Sequence, residues 1–228
     1  MATTVLVGST GFVGAYMLSQ LLAHPSYSAI YAYARRDLPN PTASTKLFPL
    51  QSPSTTEWPA QFPREANPRI FFSALGTTRS AAGGLENQRK IDLDLNYDLA
   101  RAAKDAGVET YVLISTGGAS SASRFPYPAM KGELEDKVKA LGFKHCVILR
   151  PGLIMGQRQE SRPLETVLRR FAGLAKKVSP ALTNFWGQEA EIIARAAVKA
   201  GVVCLEGKRE VGVWEVAQAE IVSLGEEK

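Results

Sequence analysis

At 228 residues, with 45% hydrophobic and 21% charged side chains, the chain can bury one sizeable core and has the composition of an ordinary globular protein. That excludes a disordered or collagenous chain, and no apolar run approaches the roughly 20 residues that span a bilayer. The net charge of +5 comes from lysines and arginines scattered among acids, as in Lys131 to Lys139, so no basic stripe marks a nucleic-acid surface and no nucleic-acid partner is expected.

Thr3 to Val7 is a β-branched apolar run closed by Gly8, which predicts a buried strand. From Phe12, apolar residues recur at helical spacing until His24 and Pro25, and Ala29 to Ala34 reads as a second strand. Leu38 to Pro68 is rich in Pro, Ser and Thr; it predicts only a weakly specified third strand at Leu47 to Leu50, interrupted by Pro49, and a helical turn near Trp58. Ile70 to Leu75 is the next strand, and the stripe Ile91, Leu95, Leu99 and Ala102 predicts a helix stopping at Gly107. Strands then follow at Tyr111 to Ser115 and His145 to Leu149, separated by a helix over Tyr127 to Leu141. Leu164 to Lys177 and Glu189 to Ala200 read as helices, and Val211 to Val216 as a short strand.

Strands alternating with helices predict an α/β fold of the Rossmann type: a doubly wound, mostly parallel sheet with helices on both faces. One nucleotide-binding domain over residues 1–228 is expected, with a small substrate-side region in about 152–228.

Gly8, Gly11 and Gly14 form a GxxGxxG pattern between the first strand and the first helix. Such a turn is tight, lets backbone approach a pyrophosphate, and aims a helix N-terminus at the anion. The dinucleotide contacts are therefore expected at Gly8, Ser9, Thr10, Gly11, Phe12, Val13 and Gly14. The position that carries an acid in many NAD-binding proteins, about 20 residues beyond the last glycine, holds Ala34 and Arg35. Arg35 and Arg36 can form forked hydrogen bonds to a 2′-phosphate, which favours NADP(H); Asp37, slightly farther along, keeps NAD(H) open.

Tyr127 and Lys131 are four residues apart and share a helix face with Leu134, Val138 and Leu141, so that face is expected to point inward. The pair follows the strand ending at Ser115 and Thr116, which gathers hydroxyls, phenol and ammonium at the carboxyl edge of the sheet, where open α/β folds bind ligands. His24 and His145 lie in no ligand cluster, and neither a GxSxG elbow nor a GxxxxGK loop is present, so zinc, hydrolase and triphosphatase chemistries are poorly supported. No metal is expected. Cys146 and Cys204 have no CxxC spacing, and Cys146 reads as a small core residue.

These residues resemble the short-chain dehydrogenase/reductase superfamily. The runs FFSALGTTRSAAGGLENQRKIDLDLN, YVLISTGGAS, MKGELEDKVKALGF and ILRPGLIMGQRQESRP resemble, more narrowly, a fungal family of atypical short-chain reductases found in mitochondrial proteomes. A more distant similarity is to the animal oxidoreductase known as the Tat-interacting protein. The resemblance implies that Lys131 binds the nicotinamide ribose and lowers the pKa of Tyr127, that Tyr127 exchanges a proton with a carbonyl or alcohol, and that Ser115 or Thr116 orients the oxygen. Counting back from Tyr127 favours Thr116; residue type favours Ser115. It further implies that Leu75, Gly76, Thr77 and Pro151, Gly152, Leu153 and Ile154 line the cofactor. Arg158, Glu160, Ser161, Arg162, Phe171, Phe185 and Trp186 are candidates to flank a substrate pocket.

The leading expectation is an NADP(H)-dependent oxidoreductase of a small carbonyl or alcohol substrate. The competing one is a protein that binds NADP(H) to set its shape and partner choice, with little turnover. Met1 and Ala2 lead directly into a strand, so no cleaved presequence is expected. The resemblance implies peripheral residence on the mitochondrial outer membrane, with the cytosol as the alternative; the oligomeric state stays open.

Overall fold

The computed structural model describes residues 1–38, 40, 42–155 and 187–226. Seven parallel strands build the main sheet: β1 (Ala2–Val7), β2 (Tyr27–Ala34), β3 (Leu47–Gln51), β4 (Ile70–Ser73), β5 (Thr110–Ile114), β6 (His145–Leu149) and β9 (Gly212–Val216), in the order β3-β2-β1-β4-β5-β6-β9. From β1 the chain winds outward through β2 to β3, then returns to β4 on the other side of β1. That reversal is the topological switch point, and it places the turn after β1 beside the loop after β4. A separate parallel pair joins β7 (Leu153–Met155) to β8 (Gly187–Glu189).

Alternation along the strands sends side chains into two cores. On one face Leu6, Ile30, Phe72 and Val147 meet α1 (Phe12–Ala23) and two later helices, α5 (Ala190–Leu205) and α6 (Gln218–Glu226). On the other, Val5, Phe71, Tyr111 and Ile148 meet α3 (Asn96–Asp105), α4 (Pro126–Ala140), Trp58 and Phe62. Helix α5 reads Ala-rich because it lies close on the sheet. A Cβ at its Gly201 would stand 2.7 Å from Phe72 Cζ and 2.9 Å from the Tyr27 hydroxyl. Tyr27 Oη donates to Val198 O of the same helix at 3.3 Å.

The predicted parallel α/β architecture with helices on both faces is therefore the observed one. Pro49 is accommodated because β3 is an edge strand, where one side of the backbone has no ladder partner to lose. The helix expected from Ile91 starts earlier: α2 (Leu85–Arg89) runs through a π-helical turn, Lys90–Leu95, directly into α3. The extra residue in that turn shifts the buried face, so that Asp92, Leu93, Leu95 and Asn96 are all buried. The small sheet β7-β8 and helix α6 were not anticipated from sequence. The helix expected over Leu164 to Lys177 lies outside the described residues.

Candidate functional site

The glycine turn crowds against the loop that follows β4. Gly8 has φ +83°, and a Cβ there would stand 2.5 Å from the Ala74 carbonyl carbon. Gly14 packs the start of α1 on the turn, where a Cβ would come 2.0 Å from Gly8 O. Gly11 N–H donates to Gly8 O at 2.8 Å and Gly11 caps α1. Its cap residue, a glycine, brings no side chain to that helix start, and no carboxylate stands in its first turn. A cradle from which side chains are excluded, ending in a helix N-terminus, fits a pyrophosphate. Within it Thr10 and Gly11 are exposed and Val13 is buried, whereas Ser9 is buried with its hydroxyl donated to Tyr33 O at 2.9 Å. Ser9 thus ties the turn to the end of β2, and only its backbone is left to meet a ligand. Arg35, Arg36 and Asp37 follow β2 in exposed positions on the same sheet edge.

The loop after β4 is held by side chains from the helical run beneath it. Asn96 Nδ2 donates to Leu75 O at 3.1 Å and Gln88 Nε2 to Thr77 O at 3.2 Å, while Asp92 Oδ1 accepts the Thr77 N–H at 2.6 Å. Ser73 Oγ in turn donates to Asn96 Oδ1 at 2.6 Å. Leu75, Gly76 and Thr77 therefore present a fixed backbone next to the glycine turn. The resemblance singles out those three residues as cofactor-lining, and sequence reasoning did not name Gln88, Asp92 and Asn96, which hold their backbone. The signal was there: three polar residues four apart on one helix are unusual on a face that also carries Leu95 and Leu99.

Helix α4 opens with Pro126 in its first turn, after an exposed Phe125. Gly132 lets it press on the preceding loop, since a Cβ there would stand 2.2 Å from the Ser120 carbonyl carbon. Tyr127 is 42% exposed at the helix mouth; Lys131, one turn deeper, is 2% exposed and donates to Ile114 O at 3.3 Å. The inward-facing expectation thus holds for Lys131, while Tyr127 opens toward solvent because it lies at the helix start, above the sheet edge. Burial pulls the Lys131 ammonium below its usual pKa, against the pull of Asp92 and Glu135.

The two hydroxyl candidates are separated by geometry. Ser115 is buried and donates to Glu135 Oε1 at 2.5 Å; Glu135 is also bound by the Arg150 guanidinium, whose Nε lies 3.2 Å from each carboxylate oxygen. Thr116 is half-buried, and its Oγ1 stands 3.5 Å from Gly117 O, too far to be held firmly. Beside it Gly117 N–H donates to Pro151 O at 2.6 Å, which brings Pro151 and the half-buried Gly152, Leu153 and Ile154 against the end of β5. Arg158, Glu160, Ser161, Arg162, Phe171, Phe185 and Trp186 lie outside the described residues. A groove of about 430 Å³ opens on another face of α4, lined by Leu85, Arg89, Ser121, Pro126, Ala129, Met130 and Glu133. It does not include Tyr127 or Lys131.

Residues 4–189 match the NAD dependent epimerase/dehydratase family. Over their full lengths, this chain and the mitochondrial protein fmp52-1 of Aspergillus terreus are 50% identical across 233 residues. The chain belongs to the fmp52 family. The fmp-52 protein of Neurospora crassa, also named mitochondrial, is 45% identical over 232 residues, covering 99% of this chain and 96% of its own. The chain thus also falls within a family of NAD-dependent, nucleotide-binding proteins. Among solved structures, the UDP-Glc/GlcNAc 4-epimerase of Campylobacter jejuni superimposes with a TM-score of 0.69 at 15% identity, over 98% of this chain and 82% of that one. MoeE5 in complex with UDP-glucose and NAD gives 0.66 at 16% identity, over 98% and 80%. At such identities the likeness is one of fold.

Proposed function

We propose that this chain is an NADP(H)-dependent oxidoreductase acting on a small carbonyl or alcohol. The observation that carries this reading is the stacking of an exposed Tyr127 one helical turn above a buried Lys131, at the end of the strand that presents Thr116. The glycine cradle and the glycine-capped start of α1 fit the pyrophosphate of a dinucleotide, which when bound supplies or accepts hydride at its nicotinamide. Leu75 to Thr77 would line the cofactor, Pro151 to Ile154 would sit beside its nicotinamide, Lys131 would hold the nicotinamide ribose, and Tyr127 would exchange the proton with the substrate oxygen. Thr116 is the hydroxyl that orients this oxygen, because Ser115 is committed to Glu135. The test is cofactor-linked turnover by the purified chain across a carbonyl and alcohol panel; no conversion of any member by a chain that binds NADPH rejects the oxidoreductase reading.

NADP(H) is preferred over NAD(H) in this reading because Arg35 and Arg36 follow β2, where the adenosine ribose sits in such folds. Replacing both by alanine is expected to weaken NADPH about 10- to 100-fold, the loss of one or two charge-assisted hydrogen bonds, and to change NADH by no more than about twofold. Titration calorimetry reads both. Equal affinities of the wild-type chain for NADPH and NADH reject the preference.

Peripheral attachment to the mitochondrial outer membrane is part of the same proposal; the relatives' names support its mitochondrial part. Among the described residues no helix is long and apolar enough to cross a membrane. Carbonate treatment of isolated mitochondria is expected to release the protein; its absence from the organelle fraction rejects the assignment.

A further inference from the structure

We propose that the substrate of this site carries an anionic group, a carboxylate or a phosphate, besides its carbonyl or alcohol, and that Arg79 and Arg124 select it. The inference rests on the oxidoreductase reading above and names the class of substrate for it.

β4 and β5 are neighbours in the sheet, so the loops that follow them leave its carboxyl edge side by side. Residues 74–84 and 115–125 make up these loops, and their only charged side chains are Arg79 and Arg124. Both arginines are exposed. The other polar side chains of the two loops are all serine and threonine hydroxyls.

Both loops are folded on themselves. Ala82 N–H donates to Thr78 O at 2.8 Å and Gly84 N–H to Arg79 O at 2.9 Å. Arg79 thus sits in a closed turn two residues beyond Thr77, whose backbone is held by Asp92 and Gln88. In the second loop Ser123 N–H donates to Ser120 O at 2.9 Å, and Ser120 N–H to Pro128 O in the first turn of α4 at 3.1 Å. That fold delivers Arg124 three residues before Tyr127. The loops also meet: Leu85, directly after the first, lines one groove with Ser121 and Pro126 of the second and of the helix start. Arg79 and Arg124 therefore stand on the two adjoining loops that also carry Thr77, Thr116 and the approach to Tyr127.

No acid answers these two cations. The first acid after Arg79 is Glu86, which Lys90 holds at 2.9 Å; the first after Arg124 is Glu133, whose two oxygens each accept from Arg89 at 2.7 Å. Asp92 is buried and spent on the Thr77 N–H. Arg69, Arg89, Arg101, Arg150 and Arg195 each hold a carboxylate, whereas among the described residues Arg79 and Arg124 hold none. Unopposed guanidinium groups at the mouth of a site draw anions in and hold them through forked, charge-assisted hydrogen bonds, for which carboxylate and phosphate oxygens have the matching geometry. A neutral aldehyde or ketone would use neither arginine.

The test pairs substrates that differ in charge: succinic semialdehyde against butanal for a carboxylate, and glycolaldehyde phosphate against glycolaldehyde for a phosphate, each with NADPH. In at least one pair the ionised member is expected to have the higher kcat/KM by about tenfold or more, and that pair identifies the anion. Arg79→Gln and Arg124→Gln are each expected to lower this preference about tenfold, with the loss carried by KM, because the contact is made alike in the ground and transition states. Arg69→Gln, which precedes β4 at the opposite edge of the sheet, is expected to change neither member. Equal kcat/KM within both pairs, or a preference that both arginine variants keep, overturns the proposal. Anion binding is also read without turnover, by ¹⁵Nε-arginine NMR of the full chain in the presence of NADPH. Succinate or inorganic phosphate is expected to shift the Arg79 and Arg124 signals, assigned by their loss in the two variants, and to leave that of Arg69 in place. Signals of Arg79 and Arg124 that neither anion moves overturn the proposal. Shifts of both in a chain that converts no carbonyl or alcohol uphold the anion site and reject the oxidoreductase reading instead.

Discussion

Tyr127→Phe is expected to lower cofactor-linked turnover about 10²- to 10⁴-fold, the usual worth of a positioned proton donor, while NADPH affinity stays within about twofold of wild type. The two readouts separate because of where the tyrosine stands. Tyr127 occupies the first turn of α4 with 42% of its surface open, so deleting one hydroxyl removes little packing and should leave the fold intact. Lys131, the residue proposed to hold the nicotinamide ribose, is untouched by the substitution. A loss confined to kcat therefore reports chemistry, and a matched loss of NADPH binding would report a disturbed site. Full activity in Tyr127→Phe would reject Tyr127 as the proton donor. Partner binding that responds to NADPH and survives the substitution, in a chain without turnover, would favour the cofactor-sensing alternative.

The sequence makes some of this arrangement legible and hides the rest for identifiable reasons. The glycine turn is readable because Gly8 and Gly14 each occupy a place where a Cβ collides with backbone, leaving no other residue type. Strands such as β1, β4, β5 and β6 are readable because parallel strands buried on both faces are near-continuous apolar runs. Tyr127 and Lys131 are readable as a pair by spacing alone. Their unequal exposure is not, since it depends on α4 beginning at Pro126 and on Lys131 lying under β5. Ser115 and Thr116 are adjacent hydroxyls with equal claims in one dimension. Only Glu135, 20 residues on and itself held by Arg150, 15 beyond that, separates them by engaging the first. The inward turn of Asp92 was hidden for a related reason, even though its four-residue spacing from Gln88 and Asn96 is visible: a strict 3.6-residue period does not anticipate the π turn that carries it inward.

The same Glu135 gives the second large effect, this time on stability. Arg150→Met is expected to destabilise the fold by about 3 kcal/mol, at the lower end of what breaking a buried ion pair costs. Glu135 is only 1% exposed and keeps its Ser115 bond, so removing the guanidinium leaves a carboxylate with little water; among the described residues Lys139, 3.9 Å away, and the buried Lys131, one turn back along α4, are the cations that still act on it. The lower end applies because Arg150 itself is 27% exposed and because Lys139 can partly replace it. For a chain of this length the melting temperature should fall by roughly 6–12 °C. Glu215, which bridges Arg150 Nη1 and Lys139 Nζ at 2.6 Å each, supplies the contrast: it is 40% exposed, so Glu215→Ala should cost less than about 1 kcal/mol. Calorimetric melts of the two variants measure this difference directly. If Arg150→Met melts within a degree or so of Glu215→Ala, the Glu135 carboxylate is not held by Arg150. In that case Ser115 would regain its claim to the substrate oxygen, because the network that withholds its hydroxyl would lack the cation that fixes it.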